Sequence, residues 1–124
     1  MKKLRKIVIA SSVIIAAAVI LFISAFIYED QFKKIEIYRE GSPDSDYEFV
    51  LYQVGAPSWP YGPVKAEIKV IDAKGKTADR ESILIYNDGA PVYEDNVKGI
   101  RWYDNRIEVD CGGEKSATYE LELK

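Results

Sequence analysis

Hydrophobic and polar positions divide this chain into two regimes. From Ile7 to Tyr28 the run IVIASSVIIAAAVILFISAFIY carries no charge, no Gly and no Pro, and its only aliphatic hydroxyls are Ser11, Ser12 and Ser24. A continuous helix over that run is about 33 Å long at ~1.5 Å per residue, against a hydrocarbon core of about 30 Å. Because such a helix bonds all its backbone polar groups internally, the pattern predicts a transmembrane helix over residues 7–28. Beyond it, apolar residues alternate with polar ones at a period near two, and turn residues recur about every ten positions. That pattern predicts an all-β region over residues 29–124: a small antiparallel meander sheet or sandwich of about seven strands.

The alternation predicts strands at 32–39, 47–54, 64–72 and 82–86, a hairpin over 100–109, and a last strand at 117–123. Segment 47–54 is apolar on both faces, which marks a central strand. The fourth strand stops at Asn87-Asp88-Gly89, where Asn and Gly tolerate the positive φ of a tight turn. In the hairpin, the two-residue loop Asp104-Asn105 suits a primed turn and sets the register. Trp102 then faces Ile107, Ile100 faces Val109, and Arg101 meets Glu108, whereas a slip by one residue breaks all three pairs. Tyr119, Leu121 and Leu123 fall in phase with Cys111, Val109 and Ile107 across a loop built on Gly112 and Gly113, so the last strand joins the sheet.

Charge sets the orientation. Lys2, Lys3, Arg5 and Lys6 precede the apolar run, while all 20 acids follow it, leaving a net charge of -7 from residue 29 onward. The basic segment 1–6 is therefore expected in the cytoplasm and the domain 29–124 on the extracytoplasmic side of the cell membrane, in a single pass. An acidic domain repels phosphate backbones, which argues against nucleic acid, and no nucleic-acid partner is expected. The alternative for the N-terminal segment is a signal peptide cleaved after Ala25, with the domain secreted. Ile23 at the -3 position is bulkier than the usual small residue, and the run exceeds the usual ~7–15 residues, so retention is expected. Ser12 and Ala16 form a small-xxx-small surface suited to close helix approach, although small residues also simply occur in apolar helices.

The chemistry available is narrow. Without histidine there is no Ser-His or Cys-His pair and no His-ligated metal. Cys111 is the single cysteine, expected to pack as a small hydrophobe, with an intermolecular disulfide as the alternative. The carboxylates Asp88, Glu94 and Asp95 would need a sugar-sized cleft to act as a glycosidase pair. As calcium ligands, either these residues with Asn87 and Asn96, or Asp44, Asp46 and Glu48, depart from the EF-hand loop, since Phe49 stands where Gly is required. No catalytic residue, cofactor or metal site is expected, and the chain is not expected to be an enzyme. The loop GAPSWPYGP at 55–63 is the strongest binding candidate, through Pro57, Trp59, Pro60 and Tyr61. Three prolines preorder it, and aromatic residues are enriched at binding hot spots. The competing role for Trp59 is to cap an open end of the core. Strand addition at a sheet edge is a second binding mode, which Lys33, Lys34, Lys65 and Lys69 would discourage.

The words SPDSDY, YQVGAPSWPYGP, NDGA and WYDNRIEV, followed by Gly-Gly and a closing YELEL, resemble a family of small bacterial single-pass membrane proteins with an extracytoplasmic β domain. The likeness covers roughly residues 42–123, and Ser45 stands where the resembling proteins carry Gly. It implies a shared fold and an envelope location, and it carries no activity. Ser42-Pro43-Asp44 also looks like the turn that opens β-propeller blades, but a propeller needs several copies at ~40–45-residue spacing. The expected function is a membrane-anchored extracytoplasmic binding or accessory module that contacts another envelope protein or a peptide. The alternatives are a small-ligand or calcium sensor, and an immunity-type protein that intercepts a toxin at the membrane.

Overall fold

The computed structural model describes residues 2–58 and 60–123, apart from the side chain of Asp30. Helix α1 (Lys2–Ile27) buries none of its residues, and its length and composition suffice to cross a membrane. A helix that is apolar all round, with no protein to cover it, has the surface that lipid requires. The Ser12 hydroxyl donates to the Val8 carbonyl at 2.9 Å, which satisfies that polar group inside the helix. Residues Tyr28–Phe32 continue α1 as one π-helical turn, closed by the Lys33 N–H on the Tyr28 carbonyl at 2.9 Å.

Seven strands follow: β1 (Lys34–Gly41), β2 (Tyr47–Val54), β3 (Val64–Asp72), β4 (Thr77–Ile85), β5 (Val97–Trp102), β6 (Arg106–Gly112) and β7 (Ser116–Glu122). They form two antiparallel sheets, β1-β2-β3-β4 and β5-β6-β7. Phe49 and Leu51, alternate residues of β3 from Val64 to Val70, and Ile83 and Ile85 share one core with Ile107, Val109, Cys111 and Leu121 of the second sheet. The core thus lies between the sheets, each contributing one face of its alternation. Val50, on the other face of β2, is also fully buried. Its cross-strand neighbours are Arg39 and Lys69, whose long stems shield apolar surface while their charges stay in water.

β2 and β3 occupy the expected segments, and the hairpin pairs Trp102 with Ile107, Arg101 with Glu108 and Ile100 with Val109. β7 pairs Leu121 with Ile107 and Tyr119 with Val109. Three details differ. β1 starts at Lys34, because the π-helical turn keeps Phe32 helical. β4 starts at Thr77 rather than 82: its first half is polar, as an outer strand of its sheet tolerates, and it joins β3 across an irregularity between Val70 and Ile71. Neither Asp104 nor Asn105 has the positive φ of a primed turn. There the Tyr103 N–H bonds the Arg106 carbonyl at 2.8 Å, and the Asn105 carbonyl accepts the Leu123 N–H at 3.0 Å, so the end of β7 helps shape the loop. Ser45, in the SPDSDY turn, takes φ 63, the conformation that Gly adopts most easily.

Arg101 lies closer to Asp110, at 2.7 Å, than to Glu108, at 3.8 Å. Its guanidinium, together with the Thr118 hydroxyl, holds the Asp110 carboxyl down at about 2. The unfolded chain takes up this proton first as pH falls, so the stabilisation is complete above pH ~4 and is lost progressively towards pH ~2. Asp110→Asn is therefore expected to flatten the fall in stability across that window and leave the slope near neutrality unchanged, as read by denaturant unfolding at a series of pH values.

Candidate functional site

β1 begins one residue after the π-helical turn, so the end of the sheet nearest α1 also carries the end of β2, the start of β3 and the end of β4. The segments 55–63 and 86–96 therefore emerge together at that end. The Gly55 N–H donates to the Lys33 carbonyl at 2.7 Å, which ties the first of these to the helix–strand junction. Within the loop, the Ser58 N–H bonds the Pro63 carbonyl at 3.1 Å and the Gly62 N–H bonds the Ser58 carbonyl at 2.9 Å.

Two buried amide side chains lock these segments. Gln53 donates to the Gly55 carbonyl at 2.9 Å and accepts the Val92 N–H at 2.8 Å. Asn96, 4% exposed, exchanges two hydrogen bonds of 2.8 Å with Asn87. It also accepts the Tyr93 N–H at 2.7 Å and donates to the Gly112 carbonyl at 3.1 Å. Gly89 closes the arrangement: at φ +81, a Cβ there would stand 2.6 Å from the Pro60 carbonyl oxygen. The motif words YQVGAPSWPYGP and NDGA are thus two sides of one packed unit.

Pro57 is half-buried, Pro60 is exposed, and Tyr61 is 73% exposed at the tip of this unit. Trp59 lies outside the described residues. Tyr86 and Tyr93, exposed from the neighbouring segment, extend the aromatic surface of the same end. The candidate ligands Asn87 and Asn96 spend their side-chain oxygens on each other and on the Tyr93 N–H. Asp88, Glu94 and Asp95 are exposed, and among the described residues no group of three acids or cysteines is disposed to hold a metal ion. Asp44 accepts the Ser42 hydroxyl at 2.6 Å and the Asp46 N–H at 3.1 Å. These bonds hold its carboxyl below the ordinary value and make it a turn-stabilising group.

The opposite end carries a second cleft, of about 240 Å³, that sequence reasoning missed. Ser42, Pro43 and Asp44 line it from one sheet, and Trp102, Tyr103 and Asp104 from the other. Trp102 packs half-buried against the core, as its pairing with Ile107 implies, and donates its Nε1–H to Glu40 across the sheets at 3.4 Å. Arg106 stacks on the Tyr103 ring at 4.2 Å. The SPD and WYD words were visible as motifs, but their meeting depends on how the two sheets pack.

Cys111 is 1% exposed, and burial pushes its thiol up to about 11. A neutral, enclosed thiol is a poor nucleophile and cannot reach a second chain without opening of the core. Maleimide is expected to label Cys111 slowly in native membranes and rapidly once denaturant is added, and fast labelling of the folded protein would contradict this burial.

No protein-family model matches this chain, and the comparisons with curated proteins and with solved structures returned no significant match.

Proposed function

We propose that this protein is a membrane-anchored extracytoplasmic binding module, held in a single pass by α1 with its N-terminus in the cytoplasm, and that the loop 55–63 contacts a second envelope protein or a peptide segment of one. The observation that supports this reading most directly is the Gly55–Lys33 hydrogen bond of 2.7 Å. It ties a proline-stiffened, tyrosine-bearing loop to the junction between α1 and β1, which under this reading is where the helix leaves the membrane, and a stiff loop loses little entropy on meeting a neighbour. The reading assigns no catalytic residue, cofactor or metal.

Crosslinking in intact membranes, followed by mass spectrometry of the attached protein, tests it. Tyr61→Ala and Trp59→Ala are expected to weaken the crosslink while the domain stays folded. Protease added to sealed cells is expected to remove the domain and leave α1 in the lipid fraction. Complete protection, or a soluble full-length chain, would end the anchored reading. A second reading, favoured by the aromatic and acidic walls of the far cleft, has the peptide bind there. Under it, Tyr103→Ala and Asp104→Asn weaken the crosslink and the loop substitutions do not.

A further inference from the structure

On the outer face of the four-stranded sheet, the row nearest α1 consists of Lys34, Val54, Lys65 and Leu84, one from each strand. Glu67 lies one row further on, between Tyr52 and Ser82. A cleft of about 300 Å³ opens among these side chains, with Val54 and Leu84 as apolar walls. Alternation places Glu67 on the polar face beside Lys65 and Lys69, yet it is only 8% exposed. Its Oε2 accepts Lys34 Nζ at 2.9 Å, while Oε1 is enclosed without a hydrogen-bond partner. A buried carboxylate oxygen lacking a donor bears the full cost of its desolvation.

A ligand that relieves this must bring a hydrogen-bond donor to Glu67. Taking Lys34 from Glu67 is compensated only if the same ligand brings an anion for Lys34 and Lys65, and an apolar stem for Val54 and Leu84. A primary ammonium a short spacer away from a phosphate, on an acyl body, meets all three requirements. The place agrees with the chemistry. Only Lys33 separates Lys34 from the helical turn that ends the apolar run, and one helical turn advances the chain by about 5 Å. That is the depth of a headgroup layer, ~5–8 Å on each side of the hydrocarbon core.

We propose that this cleft binds the headgroup of an aminophospholipid from the bilayer that α1 spans, with the ammonium on Glu67, the phosphate between Lys34 and Lys65, and the upper acyl chain against Val54 and Leu84. Lys34, 47% exposed, has the flexible stem that moves aside to admit the ammonium. The inference rests on the anchored reading of the protein and adds a lipid specificity to it.

The test uses the full chain with a photoreactive benzoylphenylalanine at position 84, reconstituted in nanodiscs of phosphatidylcholine with an equal part of phosphatidylethanolamine, phosphatidylglycerol or further phosphatidylcholine. Lipid adducts are counted by mass spectrometry. Phosphatidylethanolamine is expected to be labelled at least threefold more than phosphatidylcholine, whose quaternary ammonium has no hydrogen to donate, and more than phosphatidylglycerol, which has no ammonium. Glu67→Gln is expected to erase that preference. Equal labelling of all three lipids, a preference that survives Glu67→Gln, or no lipid adduct at all would overturn the site. Suppression of labelling by soluble phosphoethanolamine at low concentration would overturn the lipid as the source. Failure of the anchored reading is distinguishable, because the chain would then leave the nanodisc fraction altogether.

Discussion

Removal of residues 119–124 is expected to abolish the folded domain while the chain stays in the membrane fraction. Leu121 is 1% exposed and sits opposite Ile107, while Tyr119 and Leu123 pack on the same core. Losing the burial of one fully enclosed leucine costs about 1.5–3 kcal/mol, and the two partly buried neighbours add a similar amount between them. The truncation also removes the Leu123 N–H bond to Asn105 and the Glu122 N–H bond to Asp79 at 2.9 Å, and it uncovers one side of β6. The total is roughly 5 kcal/mol, comparable with the whole stability of a small domain. The measurement is amide dispersion in the NMR spectrum of a chain ending at Thr118, backed by limited proteolysis. Native-like dispersion would show that β7 is dispensable.

Asn96→Ala is expected to destabilise the domain by about 3 kcal/mol, because it strands the Tyr93 N–H and the Gly112 carbonyl and deprives Asn87 of its reciprocal pair. Asn87→Ala is expected to cost less, about 1 kcal/mol, since Asn87 is half-buried and water can replace part of what it gives up. The two residues act as one unit, so the double substitution should cost clearly less than the sum of the single ones. Denaturant unfolding of the four proteins measures this, and strict additivity would mean that the amide pair does not hold the segment 86–96. Because that segment backs Pro60 and Tyr61 through Gly89, Asn96→Ala is also expected to loosen the loop 55–63 and raise its amide hydrogen exchange, without touching any of its residues.

Much of the fold was legible from local patterns. The apolar run without Gly or Pro could only be a membrane-length helix or the core of a signal segment. The two-faced apolar run of β2 and the alternation of β3 marked both strands at their observed bounds, and the hairpin register followed from matching Trp102 with Ile107 and Arg101 with Glu108. β4 was half hidden because Thr77–Glu81 is polar apart from Ala78, and an outer strand needs no apolar alternation to be held by its neighbour. Of the binding candidates, Pro60 and Tyr61 prove exposed beside the helix junction and Pro57 half-buried. The stiffness of their loop was readable from its prolines, whereas the Gln53 and Asn96 bonds that seat it were not.

The sequence by itself determined most of the elements: a membrane-length helix with a basic flank, seven strands, and the inward face of β3 and of the β5–β6 hairpin. These follow from backbone geometry and from hydrophobic periods that act over a few residues at a time. Only the tertiary structure decided that the strands divide four and three, that SPD and WYD meet in one cleft while the proline loop meets NDGA at the other end, and that Glu67 is enclosed on a face whose pattern reads as polar. Those outcomes depend on which distant side chains come to share a boundary once two sheets pack, and that is a property of the assembled surfaces that no local period encodes.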